Sequence, residues 1–188
     1  AHPSVSGEFL TRAGCGDIKF KPAIKAFEGA NIRFADDSVE PVDAVIFATG
    51  YKISFPFFTD PAFKTDADNR LPLFKRMVPA GVDNLFYMGL AQPLPTLVNF
   101  AEQQAKLLGA YLAGRYHLPS AAERAATTAK DEAFYLDGYY NSPRHTIQVD
   151  FGHYCADLTK EITRGAARAK AAGWSLPVPA RAGQTAAV

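Results

Sequence analysis

The chain has 188 residues, a formal net charge of +1, and 48% hydrophobic against 21% charged residues. That suits one domain or parts of two, with a core of ordinary size. The balanced charge excludes a general pull toward nucleic acid, and no apolar run approaches the ~20 residues of a membrane span.

Up to about Gly50 the sequence is β-rich. In DIKFKPAIKAF, apolar Ile18 and Phe20 alternate with Lys19 and Lys21, the pattern of a half-solvated strand. NIRFADDSVEPVDAVIF reads as a strand, a turn at Asp36-Asp37-Ser38, a short strand, and then the apolar run Ala44 to Ala48. That run is apolar on both faces and predicts a strand buried on both sides, as in a parallel sheet covered by helices. Residues 52 to about 80 are rich in Pro and Phe and read as an ordered, aromatic connection. NLFYMGL (Asn84 to Leu90) predicts a second buried strand, broken by AQPLP. Thr96 then offers an N-cap oxygen for a helix from about Leu97 to Ala113, with Glu102 and Lys106 as an i, i+4 pair and Gly114 as its stop. Ser120-Ala121-Ala122-Glu123 has capping-box spacing and opens a helix to about Ala133. A Tyr-rich loop (Tyr135, Tyr139, Tyr140), the extended SPRHTIQVDF and a last helix from about His153 to Ala171 follow, the latter stopped near Gly173. The final LPVPARAGQTAAV reads as a loose tail.

The N-terminal AHPSVSGEFL shows neither the basic nor the apolar region of a signal peptide. Cys15 and Cys155 form no CxxC pair, which points to reduced thiols and a cytoplasmic setting. The four histidines lack metal-ligand spacing, so no metal site is expected. Two places could carry a ligand. At Thr49 and Gly50 a strand ends on a glycine, where ligands of open α/β sheets sit; an ordinary strand-ending turn has the same signature. At Gly89 to Thr96 a strand breaks into a helix start, whose free N–H groups and dipole favour negative charge, with the Gln92 amide beside them; a capped helix without ligand is the other reading. Glu102-Gln103-Gln104 is either an exposed stripe or a carboxylate placed near a cofactor. Arg144 to Asp150 tempts a catalytic reading, and a structural ion pair or loop anchor is the simpler one.

Four ordered segments resemble one family. FATGYKISFPF (Phe47 to Phe57), DNLFYMGLAQPLPTLVNFAEQQAKLLGAYLAG (Asp83 to Gly114), LPS (Leu118 to Ser120) and SPRHTIQVDFGHY (Ser142 to Tyr154) are similar to stretches of the flavin-containing monooxygenases. These are class B flavoprotein monooxygenases of the N,N-dimethylaniline monooxygenase type. The resemblance runs from about Gly14 to Arg168. It implies an α/β fold, part of a flavoprotein with two dinucleotide-binding domains. Residues 1–50 would be the end of the NADPH-binding domain, 51–175 the C-terminal part of the FAD-binding domain, and 176–188 a flexible tail. It implies FAD and NADPH as cofactors, with Thr49 and Gly50 framing the cofactor crevice. Gln92, Pro93 and Thr96 would lie by the pyrimidine end of the flavin.

The resemblance also has departures. No GxGxxG follows a strand, the family's Phe-Gly-His segment is missing, and Pro95 stands where the family often has Gly. The chain therefore looks like the C-terminal portion of a longer enzyme, inactive alone, whose upstream FAD- and NADPH-binding part is its first partner. The family's reaction is reduction of FAD by NADPH, capture of O₂ as a hydroperoxyflavin, and oxygen transfer to a soft nitrogen, sulfur or carbonyl substrate. No catalytic acid, base or nucleophile is assigned. The contrasting reading is a standalone, non-catalytic relic or interaction domain that pairs with a complete flavoprotein; a homo-oligomer is a further partner expectation. A reductase of the thioredoxin- or ferredoxin-reductase type fits less well, because those families do not usually carry the segments after Gly114.

Overall fold

The computed structural model describes residues 6–94, 96–137 and 145–174. The chain divides into two units between Gly50 and Tyr51.

The first unit opens with a short helix, α1 (Phe9–Gly14), and holds an antiparallel sheet of β1 (Ile24–Glu28), β2 (Asn31–Phe34) and β3 (Val39–Pro41) in the order β1-β2-β3. Pairing runs from Glu28↔Asn31 to Ile24↔Phe34, with an irregularity between Ile24 and Ala26. The expected turn forms: Asp36 Oδ1 accepts from Ser38 N at 3.1 Å and Ser38 Oγ at 2.7 Å, and Asp37 takes φ 64. Ile32 and Phe34 are the buried pair of this unit.

Two expectations fail here. Ile18 to Phe20 is not a strand; Pro22 has no N–H to give a ladder, and pairing starts beyond it. The run Ala44 to Ala48 is neither a strand nor buried. Ile46 is 90% exposed and Phe47 70%, because among the described residues the unit's sheet ends at β1-β2-β3 and no strand pairs with the run.

The second unit begins with the aromatic connection, which is ordered as expected. The Asn69 amide holds it, accepting from Ile53 N at 2.9 Å and donating to Tyr51 O at 3.2 Å. Phe55 packs edge-on and Phe58 tilted against Tyr87, whose hydroxyl donates to Phe63 O at 2.6 Å. An open apolar cleft of about 400 Å³ lies between Phe55–Phe58 and residues 85–90. Asn84 to Leu90 is extended but is not the expected buried strand: Tyr87 N donates to Met77 O at 2.8 Å, no ladder forms, and Met88 is 40% exposed.

Between the aromatic connection and this stretch lies a hairpin, β4 (Leu73–Phe74) paired with β5 (Val78–Pro79). Its turn residues Lys75 and Arg76 take φ 50 and φ 56. Positive φ costs a non-glycine residue about 1–2 kcal/mol, so side-chain anchors must hold this turn. They do. Lys75 Nζ donates to Asp131 at 2.9 Å and Asp157 at 2.5 Å, and Arg76 donates to the Thr146 carbonyl at 3.2 Å and the Gln148 carbonyl at 3.5 Å.

Three helices pack over the hairpin: α2 (Leu97–Leu112), α3 (Ala121–Asp137) and α4 (Phe151–Ala171). Phe74, Met77, Phe100, Leu107, Tyr154 and Leu158 form the centre of the core. The predicted caps are present. Gly114, at φ 69, ends α2 with bonds from Gly114 N to Tyr111 O and from Arg115 N to Ala110 O, the paired closure of a Schellman motif. Ser120 and Glu123 exchange the capping-box bonds, and α3 runs on past Ala133 to Asp137. Tyr135 therefore lies in a helix and is buried, while Tyr139, Tyr140 and the final tail lie outside the described residues. Asp150 caps α4, accepting from His153 N at 2.7 Å. Lys106 pairs with Gln103 at 2.8 Å rather than with Glu102, which faces solvent.

The result is a mixed α/β chain. Its parallel pairing among the described residues is one short ladder, β6 (Gln92–Pro93) beside β7 (Gln148–Val149).

Candidate functional site

The break after Leu90 is built from the chain's own hydrogen bonds. Gly89 takes φ 73, which a glycine adopts without a Cβ penalty, and its N–H donates to Gln104 Oε1 at 2.8 Å. Gln104 is fully buried and donates onward to Arg76 O at 3.3 Å. Glu102-Gln103-Gln104 is thus not a uniform exposed stripe: Gln104 is buried and bonds the backbone. β6 then pairs with β7 in parallel, Gln92↔Gln148 and Pro93↔Val149, and Gln92 N donates to Ile147 O at 2.8 Å. Pro93 is buried in this ladder, while Gln92 is exposed.

Thr96 caps α2, its side chain accepting from Asn99 N at 3.4 Å. The N–H groups of Leu97 and Val98 have no acceptor within the helix, and both residues are exposed, Val98 at 78%. Gln92 and Thr96 are exposed too, and Thr96 stands at the positive end of a 16-residue helix. Pro95 lies outside the described residues.

Deeper in this unit is a polar network that sequence spacing did not reveal. Arg76 is 6% exposed and tied to carbonyls of the segment carrying β7; burial pushes its pKa down. Lys75 sits between Asp131 and Asp157. Burial pulls its pKa down, and the two carboxylates outweigh that, so the net shift is upward. Thr146 Oγ1 donates to Asn69 O at 2.7 Å. Tyr154 donates to Lys75 O at 2.8 Å, and burial pushes its phenol up. The one hint in the sequence was Lys75-Arg76 set inside the apolar run LPLFKRMV, a pair of charges that needed buried partners. Of the Arg144 to Asp150 segment, Arg144 lies outside the described residues, and Thr146, Gln148 and Asp150 hold structure. Among the described residues no cluster of three or more His, Cys, Asp or Glu could hold a metal ion.

The structure brings Gln92, Pro93 and Thr96 together. Thr49 and Gly50 belong to the first unit. Both are exposed there, and Gly50 takes φ 93, a backbone state that suits glycine.

The free N–H groups at the start of α2 suit a flat ligand edge rich in carbonyl and ring-nitrogen acceptors, which is what a flavin's pyrimidine end presents. The sequence carries no GxGxxG, the fingerprint that seats a dinucleotide pyrophosphate.

A sequence profile of flavin-binding monooxygenase-like proteins matches residues 1–169. Dimethylaniline monooxygenase (N-oxide-forming) 2 of Macaca mulatta is 32% identical over 163 residues, 85% of this chain and 30% of its own length. Flavin-containing monooxygenase 5 of Oryctolagus cuniculus is 35% identical over 153 residues, 80% of this chain and 28% of its own. Among solved structures, S-allyl-L-cysteine S-oxygenase from Allium sativum matches with a TM-score of 0.56 and 25% identity, covering 83% of this chain and 34% of that one. The chain belongs to the flavin-binding monooxygenase-like family. It spans less than a third of the length of these curated relatives. Among the described residues no helix is long and apolar enough to cross a membrane.

Proposed function

We propose that this chain is the C-terminal part of an FAD- and NADPH-dependent monooxygenase of the cytoplasm. It oxygenates soft nitrogen, sulfur or carbonyl substrates and works only when joined to its upstream part. Residues 1–50 close the NADPH-binding domain and 51–175 complete the FAD-binding domain. Thr49 and Gly50 frame the cofactor crevice. Gln92, Pro93 and Thr96 form the edge that meets the flavin's pyrimidine end, where the α2 N-terminus stabilises negative charge. When bound, the flavin carries the redox chemistry, and these residues orient it.

One observation supports the reading above all: the run Asp43 to Gly50. Its sequence is that of a doubly buried strand, yet Ile46 and Phe47 stand in solvent. Each large apolar side chain moved from water to a protein interior is worth about 1.5–3 kcal/mol, so the run is built for a sheet that another stretch of polypeptide supplies. The cleft beside residues 85–90 has the same character.

The test is flavin retention. The isolated chain is expected to hold far less than one FAD per molecule, and the longer protein one. A full flavin spectrum from the isolated chain would defeat the reading. In the longer protein, Gln92→Ala or Thr96→Ala is expected to weaken flavin binding or to uncouple NADPH use from product; unchanged content and coupling would move the flavin edge elsewhere. If the native product has the mass of this chain alone, the exposed run instead fits a relic or interaction domain paired with a complete flavoprotein.

A further inference from the structure

We propose that Phe86 and Met88 form an open strand edge, and that a short β-strand from the part of the longer protein outside this chain pairs with it and fills the aromatic cleft alongside. This rests on the reading that the chain is a portion of a longer monooxygenase, and it names the form of the partner and the place where it joins.

Asn84 to Leu90 is extended, yet only one of its sides is bonded. Tyr87 N donates to Met77 O at 2.8 Å, and Gly89 N donates to Gln104 Oε1 at 2.8 Å. Gln104 also bonds Arg76 O, so the stretch is held in place from the core. In an extended chain the backbone groups of successive residues point to opposite sides. Phe86 and Met88, which flank Tyr87, therefore turn theirs away from Met77. Neither the N–H nor the carbonyl of either residue has a partner among the described residues.

The cleft of about 400 Å³ runs along this same stretch, with Phe55, Phe57 and Phe58 opposite. Phe57 is 58% exposed and Met88 40%. Exposed rings and unpaired backbone groups make different demands on an occupant. An apolar small molecule would cover the rings and strip water from the N–H and carbonyl groups without bonding them, which is costly. An extended polypeptide meets both demands: its backbone pairs with the edge, and alternate side chains enter the cleft. The edge is already fixed in the extended state, so little ordering is left for the moment of pairing. Polypeptide to supply the strand is available in a longer protein. The chain spans 30% and 28% of the two relatives compared above, so in a protein of that length more than two-thirds of the residues lie outside it.

The test is residue-resolved amide hydrogen exchange in this chain and in the longer protein. In this chain Tyr87 should exchange slowly, and Phe86 and Met88 fast. In the longer protein Phe86 and Met88 should slow by about a thousandfold or more, into the range of paired core strands. Met88→Pro removes one outward N–H and no bond of this chain, and the residue before a proline favours the extended state that Tyr87 already has. In the longer protein this variant should return Phe86 to within about tenfold of its rate in this chain, with Tyr87 still slow. Equally fast edge amides in both proteins overturn the pairing, and so does a Phe86 that stays slow in Met88→Pro. Protection that appears in this chain alone and deepens with its concentration assigns the edge to a second copy and overturns the proposal as well. Fast edge amides in a flavin-loaded longer protein sink the edge and leave the monooxygenase reading standing. Slow ones in a longer protein that takes up no flavin do the reverse.

Discussion

Gly165→Ala sets helix propensity against packing, and the structure decides the sign. In an open helix interior the change gains about 1 kcal/mol. At Gly165, in α4, a Cβ would lie 1.9 Å from Tyr116 Cδ2, 2.0 Å from Cε2 and 2.9 Å from Cγ. Carbon atoms rest about 3.5–4.0 Å apart, so the ring must move by roughly 1.5–2 Å. It has no slack. Tyr116 is fully buried, and its hydroxyl donates to Glu161 Oε1 at 2.9 Å. Glu161 pairs with Arg168, whose Nε donates to His117 O at 2.9 Å. His117 N donates to Gly165 O at 3.1 Å, closing the loop on the glycine itself. Losing a buried aromatic from a core costs about 3–5 kcal/mol. Set against the propensity gain, Gly165→Ala should lose about 2–4 kcal/mol. Gly109 is the internal control: it lies in α2, and a Cβ there meets nothing within 4 Å. Gly109→Ala should gain about 0.5–1 kcal/mol. Urea unfolding, followed by the fluorescence of the single Trp174 and by far-UV circular dichroism, measures both by linear extrapolation. If Gly165→Ala is as stable as the parent, the packing account of the α4 contact is wrong.

Two further predictions concern buried charge and pH. Lys75→Met leaves Asp131 and Asp157 facing each other without their cation. Breaking a buried pair costs about 3–5 kcal/mol, and because these carboxylates are 23% and 26% exposed, about 2–3 kcal/mol is expected here; a loss under 1 kcal/mol in the same urea assay would reject the anchoring role. The alkaline limit should be set by buried phenols. Burial pushes Tyr87 up to about 12 and raises Tyr111, Tyr116, Tyr135 and Tyr154 as well, and Lys75 is also raised. The folded chain keeps these protons after the unfolded chain has released them, so stability is full below about pH 10 and falls as pH rises through the folded values. A melting temperature unchanged between pH 9 and 12 would contradict this.

Sequence reading was most reliable where the cause is local. Thr96, Ser120-Glu123, Gly114 and Gly173 mark helix ends because caps depend on a few consecutive residues. The turn at Asp36-Asp37-Ser38 is legible for the same reason. Reading failed for Ala44 to Ala48 and Asn84 to Leu90, where an apolar run predicts burial but cannot say whether a neighbouring strand is present. It gave no sign of the buried partners of Gln104 and Gln148. A glutamine in an amphipathic helix or a short extended segment looks like surface until its buried partners are known.

By itself, then, the sequence determined the caps, the turns, the order of the helices and the family resemblance, all of which reside in residue identity at short spacing. Only the tertiary structure decided that Lys75 and Arg76 are buried anchors, that Gln148 stands behind Gln92, and that Ile46 and Phe47 are exposed. The first two depend on pairings across 56 to 82 residues. Such pairings follow from which surfaces meet once apolar area leaves water, and local spacing carries no record of them.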